Sequence, residues 1–135
     1  MHTRVQKLML FAVLSAAAPA YAHHSFAMFD AAKMVSYSGT VKTVEWANPH
    51  VWISITVLEK GVDVPYSFEC GAIAVLKRGG WTRGLINPGD KVTIASHPYK
   101  DGRAGGSVDH IVLSDGRQFM AGDGLPDALR PPGVE

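Results

Sequence analysis

One cysteine, Cys70, is all that this chain of 135 residues contains. An internal disulfide is therefore excluded, and in an oxidising compartment the lone thiol must be buried, metal-bound or paired with another molecule. Net charge is equally scarce, 13 Lys+Arg standing against 12 Asp+Glu, so the basic footprint of a nucleic-acid binder is missing and no nucleic-acid partner is expected. Long apolar runs are absent with one exception. Leu8 to Ala18 follows the basic Arg4 and Lys7 and precedes Ala20-Tyr21-Ala22, which together make the charged, apolar and small-x-small parts of a secretion signal. That run is shorter than the roughly 20 residues needed to span a bilayer, and no second one follows. The expectation is a signal peptide over 1–22 and a mature chain that reaches the periplasm or the exterior without inserting into a membrane. No cysteine begins that mature chain to carry a lipid, and there are no internal repeats. Nor is there a nucleophile elbow, a nucleotide-binding loop or a defensible pair of catalytic carboxylates, which argues against an enzyme.

What remains after cleavage is 113 residues, enough for one domain with a modest core. Losing Arg4 and Lys7 takes the net charge to −1. Five histidines are left, at positions 23, 24, 50, 97 and 110. The mature chain would start at His23, whose free α-amine and imidazole can grip one metal ion as a chelate, with the imidazole of His24 beside it. Nitrogen donors in that arrangement point to divalent copper.

The body of the chain reads as β-structure. An arm over 23–33 shows no clean period. Then Val35, Tyr37, Gly39 and Val41 share a face, and Val44 and Trp46 continue on the shifted phase. A one-residue slip after a strand glycine predicts a β-bulge in a long, bent first strand. Past the turn dipeptide Asn48-Pro49, Val51, Ile53, Ile55 and Val57 form the clearest strand, and a turn at Lys60-Gly61 returns it through Val64, Tyr66, Phe68 and Cys70. Ile73 and Leu76 fall at helical spacing before Gly79-Gly80. Val92 and Ile94 mark a fourth strand. A glycine-rich loop, Lys100 to Ser107, leads to a fifth over Val108 to Leu113, onto which Gln118-Phe119 folds back. Three curved strands, a short helix and two more strands is the order of the OB fold. The expected architecture is all-β with a small α contribution, a five-stranded OB-like curved barrel over 34–120 with a short helix between strands three and four, followed by a disordered tail over 121–135. A small β-sandwich is the rival, but it gives no reason for the helix.

If the second and third strands form a hairpin about Gly61, Val51 falls near Cys70, and the opposite face carries His50, Trp52, Ser67 and Glu69. His50 and Glu69 are then close enough to converge on one ligand, while Cys70 turns into the core with Tyr66 and Phe68. The metal candidates are thus His23, His24, His50 and Glu69. His97, before Pro98 at a strand end, reads as an exposed histidine without a role, and His110 as a satisfied, half-buried one. Met28 and Met34 read as core residues rather than thioether ligands. Trp46, Trp52 and Trp81 read as braces of a curved sheet rather than a stacking platform for a sugar or base.

The strings His23 to Asp30 (HHSFAMFD), Glu45 to His50 (EWANPH), Gly79-Gly80-Trp81, Pro88-Gly89-Asp90 and Asp101-Gly102-Arg103 resemble DUF6152, a family of small secreted bacterial proteins with no established function. The resemblance covers nearly the whole mature chain and implies membership without implying an activity. From the residues, the leading expectation is a periplasmic binding module that holds copper through its amino-terminal histidine. The alternative is a metal-free module whose barrel face binds a partner protein or glycan. An oxidative copper enzyme would need an open coordination position and a substrate surface that the sequence does not reveal.

Overall fold

The computed structural model describes residues 26–122. Its strands are β1 (Val35–Glu45), β2 (Trp52–Glu59), β3 (Val62–Glu69), β4 (Lys91–Pro98), β5 (Gly105–Leu113) and β6 (Gln118–Met120), with helix α1 (Ile73–Arg78) between β3 and β4. They lie in the order β3-β2-β1-β4-β5-β6, and a parallel pairing of β3 with β5 closes the first five into a barrel. This is the OB-like architecture, with β6 an added hairpin strand on β5.

β1 makes the barrel possible because it serves two partners. Its first half pairs with β4 and its second half with β2. Val41 faces Ile55 and Thr43 faces Ser54, leaving Lys42 as the extra residue of a bulge. That bulge is the phase slip visible in the sequence, and it bends the strand. At Gly39 a Cβ would sit 2.4 Å from the carbonyl oxygen of Thr56. No side chain fits there, so glycine permits the close passage of β1 over β2.

The inward faces of β1–β5 supply Val41, Ile53, Ile55, Phe68, Ile94, Val108 and Ile111, all buried. α1 closes one end, with Leu76 fully buried and the Trp81 indole donating to the Met120 carbonyl at 2.9 Å. Asn48, in the β1–β2 turn, accepts the backbone N–H of Ile73 through Oδ1 at 3.2 Å and so satisfies one of the free donors that begin a helix.

Two expectations change. The glycine-rich stretch is not loop as far as Ser107, because β5 already begins at Gly105, where a Cβ would meet the Ser67 carbonyl oxygen at 1.8 Å. Glycines there let β3, β4 and β5 come together. Ala121 belongs to the barrel and not to a disordered tail: it is buried, accepts from Gly71 N–H at 2.7 Å and donates to the Asp109 carbonyl at 2.9 Å. The expected signal peptide over 1–22, His23, His24 and the rest of residues 1–25, together with residues 123–135, lie outside the described residues.

Candidate functional site

Paired residues in a sheet carry their side chains on the same face. Trp52 pairs with Glu69, Glu69 with Ser107, and Ser107 with His97. These four make one row across β2, β3, β5 and β4, on the wall opposite Ile53, Phe68 and Val108. His50 precedes Trp52 by two residues and joins the row at its edge.

The ring of His50 is held from one side. Its Nδ1 lies 2.8 Å from Glu69 Oε1 and 3.2 Å from the carbonyl oxygen of Cys70. Both neighbours are acceptors, so in the neutral ring Nδ1 carries the proton and Nε2 keeps the lone pair. The pair is sheltered but not sealed: the Glu69 side chain is 9% exposed and that of His50 27%. A carboxylate behind an imidazole, with the far nitrogen left for another partner, is the arrangement that orients histidine for a metal ion. The structure therefore brings together the two described candidates, His50 and Glu69, and puts Glu69 behind the ring of His50. Among the described residues, no three of the His, Cys, Asp and Glu side chains gather as a metal site. Cys70, 3% exposed, lies in the core as its parity requires.

The arm crosses the β4 end of this wall. After a 3-10 turn over Phe26–Met28, Phe29 bridges to Tyr99, Lys100 N–H donates to the Met28 carbonyl at 2.9 Å, and Asp30 N–H to the Pro98 carbonyl at 2.8 Å. The rings of Phe29 and Tyr99 are 4.8 Å apart, and the Arg103 guanidinium lies 4.1 Å from the Tyr99 ring centre. Burial pushes the Tyr99 hydroxyl above its ordinary pKa, Arg103 opposes this, and the nearby negative charge of Glu69 adds to it.

His97 corrects the sequence reading. It is not exposed but 5% accessible, because the arm lies over it: Nδ1 is 2.7 Å from the Lys33 carbonyl oxygen. Nδ1 must donate, which leaves Nε2 as a buried acceptor with no hydrogen-bond partner among the described residues. His110 is the satisfied histidine expected, with Nδ1 2.8 Å from Asp109 Oδ2. Met28 and Met34 are exposed rather than core residues, 42% and 46% accessible. Trp81 is buried, Trp46 packs against the core and Trp52 stands on the outer wall, so the three do not share a platform.

Fold and wall together define a small OB-like barrel domain that carries a carboxylate-backed histidine beside an amino-terminal arm. Residues 12–108 match the family of unknown function DUF6152. The chain belongs to that family. No curated protein and no solved structure matches it.

Proposed function

We propose that the mature protein is a periplasmic module that binds one divalent copper ion, held by the α-amine and imidazole of His23, with His24 beside it and Nε2 of His50 as the donor from the barrel. The observation that carries this reading is the Glu69–His50 contact at 2.8 Å, which leaves a directed lone pair on a half-buried ring. Nitrogen donors favour copper(II) over the other divalent first-row metals. The amine has an ordinary pKa of about 7.7–8.0, so near neutrality a metal displaces its proton at modest cost. Glu69 acts here as the group that fixes the ring, not as a ligand.

Competition with a chromophoric copper chelator tests the proposal on protein whose first residue is verified by mass spectrometry. One residue added before His23 should abolish the chelate and weaken binding strongly. Glu69→Gln keeps an acceptor but removes the charge, and should weaken binding about 10–100-fold, the usual cost of losing a residue that supports a ligand. Equal affinity for the authentic and the extended amino terminus would rule the proposal out.

A metal-free reading has its own supporting observation. An open groove of about 810 Å³, lined among others by Ser38, Thr40, Thr56, Thr93 and Lys91, lies toward the far end of the barrel. Its hydroxyls suit a glycan or peptide, and the extended-terminus comparison decides between the two.

A further inference from the structure

We propose that the groove on the outer face of β1, β2 and β4 binds an anionic oligosaccharide, with rows of hydroxyls meeting the sugar hydroxyls and two lysines meeting the acid groups. The inference rests on the metal-free reading and names which ligand the groove takes. Residues paired across neighbouring strands share a face, and here Ser38 pairs with Thr93, Thr40 with Lys91, and Thr40 again with Thr56. All five stand outward, on the parity opposite that of Val41, Ile55 and Ile94 in the core. The polar groups are already set against one another. Ser38 Oγ lies 2.8 Å from Thr93 Oγ1, and the Lys91 ammonium donates to Thr40 Oγ1 at 2.6 Å. An ammonium has three donors, so Lys91 keeps two for a ligand, and side chains held this way have less freedom left to lose on binding.

Thr40, Thr56 and Thr93 each have a strand partner on both sides, so an extended peptide finds no backbone edge to join there. Recognition is left to side chains. Besides the hydroxyls, the groove presents aliphatic surface from Val112 and from Leu58, which is 69% exposed. A sugar ring, dense in hydroxyls and with apolar C–H faces, matches that mixture. The charged groups at the groove are Lys42, Lys91 and Asp63, two cations against one anion, and this local excess favours a sugar that carries acid groups over a neutral one. The volume, about 810 Å³, lies within the range of roughly 300–1,000 Å³ usual for small-molecule sites.

Nuclear magnetic resonance titration of the isotope-labelled protein with tetragalacturonate, its methyl ester and tetraglutamate tests this. Tetragalacturonate should shift the amides of Thr40, Thr56 and Thr93 and leave that of Leu76 on α1 unmoved. Lys42→Gln and Lys91→Gln should each weaken binding about threefold, the scale of one exposed charge pair. The methyl ester keeps the ring hydroxyls and loses the charges, so it should bind about tenfold more weakly, as two such losses together. Asp63→Asn should tighten binding by removing a repulsion, whereas Lys77→Gln on α1 should change nothing. An ester that binds as tightly as the acid overturns the role of the lysines and leaves a glycan groove standing. Tetraglutamate binding as tightly as tetragalacturonate overturns the role of the hydroxyls, and amides that move with neither sugar overturn the glycan reading itself.

Discussion

Tyr66 shows how a single side chain ties strands together. Its hydroxyl donates to Glu59 across the β2–β3 hairpin, and its ring lies 4.7 Å from that of Tyr37 on β1. The bond to Glu59 favours the protonated phenol, and burial and the charge of Glu59 push the same way, so the pKa rises from 10.0 to about 12. A folded-state value above the unfolded one means the bond contributes fully below about pH 10 and is lost as pH climbs through about 12. Titration of the protein by phenolate absorbance should therefore contain a late step near pH 12, and Tyr66→Phe should remove that step. The candidate site obeys the same residue-scale logic. The Lys60-Gly61 turn sets the hairpin register, and that register alone is enough to put His50 and Glu69 on one wall. His97 is not legible in this way. What buries it is a carbonyl 64 residues earlier in the chain, and nothing local at His97-Pro98 announces that cover.

Among the elements, legibility follows the side chains available to alternate. β1 is readable through its bulge because Val41 and Val44 report the phase on either side of Lys42. The start of β5 is not, because Gly105 and Gly106 have no side chain to show a period. The arm is opaque for a third reason, its cover being made by one ring and a few backbone bonds rather than by a repeating face. Glycine also carries the sharpest element-scale expectation. Gly39→Ala should lower stability by about 2–3 kcal/mol, since its Cβ would meet backbone and not a movable side chain. Chemical denaturation measures this, and a midpoint equal to wild type would show that β1 can lift away from Thr56 freely.

Across the whole molecule, the barrel is closed by a short join. β3 meets β5 only at Ser67, Phe68 and Glu69, so the earlier half of β3, from Val62 to Tyr66, pairs with β2 alone among the described strands. An open strand edge of this kind invites a second chain to add itself as a further strand. Pro65 sits in the middle of that edge, opposite Thr56, and offers no N–H to an incoming backbone, while Asp63 beside it adds a charge. Pro65→Val should leave the barrel folded, and light scattering should detect more concentration-dependent self-assembly than the wild type shows. Pro65 thus stands guard over the half of the β3 edge that the barrel leaves without a strand neighbour, a task separate from the histidine–carboxylate wall.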